Sequence, residues 1–120
     1  MQYLLLIYSD EKANAAHMDK LGEADRKAEL GKWFAYTEEL KKADVFVAGE
    51  ALQPTATATT VRARNDDPIT TDGPFAETKE QLGGFYMIDC KDLDEALKWA
   101  AKCPGTARGA IEVRPVMSFD

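Results

Sequence analysis

Histidine is all but missing from this chain: His17 is the only one in 120 residues, and the two cysteines, Cys90 and Cys103, stand in no CxxC or related spacing. A structural zinc site takes four such ligands at characteristic intervals, so an ordinary His- or Cys-built metal centre is excluded. Carboxylates alone suit Mg²⁺ or Ca²⁺ weakly. No metal and no cofactor is expected. Neither thiol, one at a strand end and one at a helix end, is expected to be a nucleophile. The pattern favours two free structural thiols in a cytosolic protein; a disulfide between them stays open at this stage.

Long hydrophobic runs are missing too. The run Tyr3–Tyr8 is too short to cross a bilayer, has no basic segment before it, and is followed by Ser9-Asp10-Glu11, which is no small-residue cleavage site. It reads as a buried strand, and a cytoplasmic chain with no membrane partner is expected. Positive charge is in the minority, with a net charge of −6 and a pI near 4.8. Such a surface repels phosphate backbones, and Lys41-Lys42 and Arg62/Arg64 each sit among acidic residues, so no nucleic-acid partner is expected. Gly83-Gly84 precedes a strand pattern, not a helix, and so makes no phosphate cradle.

What is present is ordinary globular composition, 45% apolar and 30% charged, in a length that fits one domain over residues 1–120. Gln2–Tyr8 predicts a central strand and Ser9–Asp19 a polar stretch. Leu21–Lys42 predicts a helix with Leu30, Trp33, Phe34, Thr37 and Leu40 on one face. Val45–Ala48 is a short strand ended by Gly49. Thr57–Arg64 and Ile69–Thr71 flank the turn Asn65-Asp66-Asp67-Pro68 and predict a hairpin. Gly83–Cys90 is a strand. Asp92 with Glu95 forms a capping box for a helix carrying Leu93, Ala96, Leu97 and Ala100, stopped by Cys103-Pro104-Gly105. Ile111–Val116 closes the chain.

The order is β-α-β, an inserted hairpin, then β-α-β. That is an α+β class, the split βαβ plan of a ferredoxin-like fold with an antiparallel sheet and two helices on one face. With no third helix in this reading, the other face lacks cover, which predicts self-association.

The segment Thr71-Asp72-Gly73-Pro74-Phe75 through Gln81-Leu82-Gly83-Gly84 resembles the signature of the DGPF branch of the YCII-related family. The resemblance extends to Met1–Tyr8, Val47-Ala48-Gly49-Glu50, Ala56–Arg62, Leu93–Ala100 and Glu112-Val113-Arg114-Pro115, nearly the whole chain. It implies a dimeric α+β barrel. It also implies two ideas about role: an enzyme, from a histidine and an aspartate in the wider family, and a regulator, from association with extracytoplasmic-function sigma factors. This chain departs from the enzymatic pattern. Lys32 or Trp33 stands where the family has its histidine, Cys103-Pro104 where it has Asp-Pro, and His17 lies too early to inherit the role. A His/Asp mechanism is not carried over.

Other residues must carry a site. As structure alone, Asp72-Gly73-Pro74 is a tight turn, with Phe75 plugging the core. A turn alone does not need Glu77, Lys79 and Glu80 together, and two carboxylates and an ammonium beside a rigid loop suit a small ligand. Trp33 belongs to the core, while Tyr36 and Glu39 could face the signature loop. Arg62 and Arg64 read as a solvated or ion-paired strand face. The candidate ligand-binding set is Asp72, Glu77, Lys79, Glu80, Tyr36 and Glu39, in a pocket between the long helix, the hairpin and the loop. The expected function is a small-molecule-binding or catalytic homodimer; the alternative is a partner of a sigma factor, acting by protein contacts.

Overall fold

The computed structural model describes residues 1–119. The first apolar run forms β1 (Gln2–Ser9), whose side chains alternate between two faces, with Tyr3 and Leu5 fully inside. Then follow α1 (Glu11–Asp19), α2 (Glu23–Lys42), β2 (Phe46–Ala51), the hairpin strands β3 (Thr59–Arg64) and β4 (Asp67–Asp72), β5 (Gln81–Asp89), α3 (Leu93–Lys102) and β6 (Gly109–Pro115). The main sheet runs β2-β5-β1-β6, antiparallel throughout. Each βαβ half leaves room for a strand of the other half between its own two, which is the ferredoxin-like arrangement.

The core lies between this sheet and the helices. Leu5, Leu40, Ile88 and Cys103 are its fully buried side chains, with Tyr36, Tyr86, Ala96 and Ala100 around them. Each of the large aliphatic ones contributes about 1.5–3 kcal/mol by leaving water. α3 is capped as its sequence predicts: the Asp92 carboxylate accepts from Glu95 N–H at 2.9 Å. Glu95 in return accepts from Lys91 N–H, one residue ahead of the cap. Its small residues Ala96 and Ala100 take the inner face, while Leu93 and Leu97 stay exposed at the rim.

Periodicity predicts two helices; the fold has three. The segment predicted as a polar stretch is α1, capped by Asp10, whose carboxylate accepts from Ala13 N–H. It carries no buried residue and hence no apolar stripe, the feature by which helices are read. In α2 the inner positions are Tyr36 and Leu40, not Leu30 and Phe34, which remain 56% and 64% exposed. β2 begins one residue late and runs through Gly49 to Ala51, with a bulge between Phe46 and Ala48. Phe75 does not plug the core; it is 78% exposed.

α1 stands beside α2 on the helix side, so the opposite sheet face still lacks cover. Leu4 pairs with Met87 and Leu6 with Phe85 across that face, and all four are only half-buried. The β3–β4 hairpin turns at Asn65 and Asp66, both at positive φ, and nearly all its residues are exposed. It extends as an arm. The radius of gyration is 16.5 Å, against about 14 Å for a compact domain of this length.

Gly84 of β5 lies where the backbone of β2 crosses closest. A Cβ there would stand 2.8 Å from the Glu50 carbonyl oxygen, whereas one on Gly83 would meet nothing nearer than 3.9 Å. Gly84→Ala is therefore expected to cost about 1–3 kcal/mol, and Gly83→Ala close to nothing. Thermal unfolding of the two variants checks this; equal losses would contradict the assigned close approach.

Candidate functional site

The middle of α2 roofs a cleft of about 530 Å³. Its floor has few side chains: Gly49 on β2 and Gly83-Gly84 on β5. At Gly49 an added Cβ would collide with the Tyr86 ring at 2.7 Å. The roof is Leu30, Trp33, Phe34 and Thr37, and Phe46 and Tyr86 close the inner end. The walls are thus mostly apolar and aromatic, the usual lining of a small-molecule site.

Ser9 and Glu50 also line the cleft, and a hydroxyl pair sits inside. Thr37 Oγ1 donates to the Trp33 carbonyl at 3.0 Å and lies 2.8 Å from the Tyr86 hydroxyl. A hydroxyl has one proton, so with Thr37 committed to Trp33, Tyr86 is the donor of the second bond. The Tyr86 oxygen keeps a lone pair and can accept an O–H or N–H from a ligand.

A second chamber, about 270 Å³, adjoins the first and shares Ile7, Ser9, Leu30 and Trp33 with it. It is more polar, bordered by Asn14 and His17 from α1, Glu29 from α2, and Arg108 before β6. Asn14 Nδ2 donates to Ser9 Oγ at 2.7 Å, and Arg108 Nε donates to Asn14 Oδ1 at 3.3 Å. α1 is held in place from its start: the Glu11 amide donates to Gln81, and the Glu11 carboxylate accepts from the amide and hydroxyl of Thr55.

The residues singled out in sequence are placed as follows. Tyr36 is 3% exposed, with its ring edge-on to Tyr86 and Trp99 and its hydroxyl donating to the Trp99 carbonyl at 2.7 Å. It is a core residue. Glu39 shares with it a shallow depression beside Lys102 and Cys103. Neither faces the signature loop. Asp72 ends β4, and Glu77, Lys79 and Glu80 are exposed, with Glu80 at an open hollow near Tyr8 and Glu112. The Asp72-Gly73-Pro74 turn is tied to the arm: Gly73, at φ 100°, donates to Ala58, Thr60 Oγ1 donates to the Gly73 carbonyl, and Arg62 donates to the Phe75 carbonyl. Arg62 thus serves the loop, with no ion pair to Asp66 or Asp67 among the described residues.

Sequence reasoning missed His17, Asn14 and Arg108. All depend on α1, and Asp10 three residues before Ala13, at the head of an alanine-rich segment, was the available sign of that helix.

With this geometry in view, the YCII-related domain model matches residues 1–120. The chain belongs to the YCII-related family. An uncharacterised protein of Rhizobium meliloti (strain 1021) is 40% identical over 121 residues, covering 99% of this chain and 94% of that protein. A solved structure, the 5-chloro-2-hydroxyhydroquinone dehydrochlorinase of Burkholderia phenoliruptrix AC1100 in complex with 2,5-dihydroxybenzoquinone, superposes with a TM-score of 0.54. It is 18% identical, and the match covers 98% of this chain and 94% of that one. That likeness concerns the fold.

In this YCII-related chain burial sets the protonation of the inner groups. It pushes the Tyr86 phenol up, partly countered by the Thr37 bond, and pushes Tyr36 up further. Both stay protonated near neutral pH. Burial likewise raises the Cys90 and Cys103 thiols, which are free and inside the fold. Neither is a ready nucleophile. Among the described residues no cluster of His, Cys, Asp and Glu has metal-binding geometry, and no helix is long and apolar enough to cross a membrane.

Glu77 and Lys79 are exposed and form no ion pair among the described residues. Glu77→Gln and Lys79→Met are each expected to leave stability within about 0.5 kcal/mol of the parent. Chemical denaturation checks it, and a loss of several kcal/mol would mark them as structural.

Proposed function

We propose that this chain binds a small, flat, hydroxylated apolar molecule in the cleft beneath α2, and does so as a homodimer. The observation that carries the reading is the glycine-floored, aromatic-walled cleft with the Tyr86 oxygen as its internal acceptor. Trp33 and Phe46 supply faces for an aromatic ring, and Tyr86 fixes where a ligand hydroxyl lies. The dehydrochlorinase of similar fold is described with 2,5-dihydroxybenzoquinone, a ring of that size and chemistry. At its low identity this supports the ligand class without specifying the reaction. The His/Asp pair of the wider family is not at the matching positions, so no acid-base step is assigned.

The dimer rests on the sheet face of Leu4, Leu6, Phe85 and Met87 and on the exposed arm. Covering that face with a second copy would remove well over ~1,000 Å², the range of stable interfaces. Light scattering at micromolar concentration is expected to give twice the 13.3 kDa chain mass; the mass of a single chain would refute the dimer.

For the cleft, calorimetric titration with 2-naphthol is expected to show saturable binding that Trp33→Ala weakens by roughly tenfold or more, the loss of one large aromatic contact. Binding unaffected by Trp33→Ala would place the ligand elsewhere.

A further inference from the structure

Arg108, an exposed residue, borders the cavity beside the apolar cleft, and among the described residues no carboxylate lies within ion-pairing distance of it. Its Nε is engaged by Asn14, which Ser9 holds in turn, so the guanidinium is steadied while its two terminal nitrogens stay available. The ring of His17, on the same chamber, has no hydrogen-bond partner among the described residues. Glu29, the carboxylate of this chamber, is bonded to Lys32 at 2.9 Å. Its charge is engaged by Lys32, and the fields of His17 and Arg108 reach it as well.

We infer that this chamber is an anion-recognising end of the binding cleft, taking a carboxylate or comparable acidic oxygen group on a ligand whose apolar ring lies between Trp33 and Tyr86. The inference rests on the proposed binding reading and adds a substrate class to it: an acidic aromatic molecule, not a neutral one. Arg108 makes the charged hydrogen bonds, for which a planar guanidinium suits two carboxylate oxygens. His17 adds a ring N–H from the opposite wall. Asn14 acts through Arg108 as a positioning residue. The shared lining of Ile7, Ser9, Leu30 and Trp33 sets the two chambers side by side, within reach of one molecule that spans them.

The test compares two probes of one shape, 2-naphthoate and 2-naphthalenemethanol, titrated calorimetrically into the full chain at neutral pH and low salt. The naphthoate is expected to bind about tenfold more tightly, the worth of one charge-assisted hydrogen-bonded contact. Arg108→Gln is expected to abolish that preference while leaving the alcohol's affinity unchanged. Arg108→Lys should retain part of it, and His17→Gln should reduce it by a smaller factor. Thermal unfolding of each variant separates loss of fold from loss of recognition. Equal affinity of the two probes for the parent, or a preference that survives Arg108→Gln, overturns the anion site and leaves the cleft reading standing. Failure of both probes to bind overturns the two together.

Discussion

The hydrogen bond from the Tyr36 hydroxyl to the Trp99 carbonyl fixes how the layers of this protein lie. Trp99 is in the last turn of α3, where carbonyls have no partner within the helix, so the tyrosine satisfies a group that would otherwise be buried unpaired. Such a bond contributes about 1 kcal/mol net, but leaving the carbonyl unsatisfied costs about 1–3 kcal/mol. Together with Leu40, which is fully buried, it pins the C-terminal half of α2 to α3 and the sheet. The face of α2 that carries Leu30 and Phe34 has no equivalent anchor. Leu30 and Phe34 find no core to enter, and the space below them becomes the cleft.

That division of one helix into a pinned face and an overhanging face links fold to site. Tyr86 joins the two. Its ring packs edge-on to Tyr36 and Phe46, which belongs to the core, while its hydroxyl reaches Thr37 at the cleft. Gly49 lets that ring lie flat against β2, and Gly84 lets β2 and β5 approach. The arm and signature loop form a separate system, held together by the bonds of Thr60 and Arg62 to the loop backbone. Within one chain they take no part in the cleft.

Much of the fold was legible because burial leaves a period in the sequence. The apolar run of β1, the alternation in β6 and the capping box at Asp92 each have a local cause, and each element appears where that cause predicts. The turn expected over Asn65-Asp66-Asp67-Pro68 is tighter, with Asp67 and Pro68 already in β4. The errors share a physical origin. α1 buries nothing, so no hydrophobic period reports it, and with it went His17, Asn14 and Arg108. Tyr36 could face the signature loop on helical spacing alone; here its hydroxyl is consumed inside by a helix-end carbonyl. The cleft itself is made of absences, glycines under an overhanging helix, and spacing between charged residues does not reveal an empty volume. The charged set Asp72, Glu77, Lys79 and Glu80 was conspicuous in sequence because it is exposed.

The central claim is that the site lies beneath α2 and not at the signature loop. A ¹⁵N-labelled chain titrated with 2-naphthol tests it residue by residue through its amide and indole resonances. Shift changes should cluster at the Trp33 indole, at Thr37, at Gly49–Ala51 and at Gly83–Tyr86. Changes confined to residues 72–80, with those positions unmoved, would contradict it.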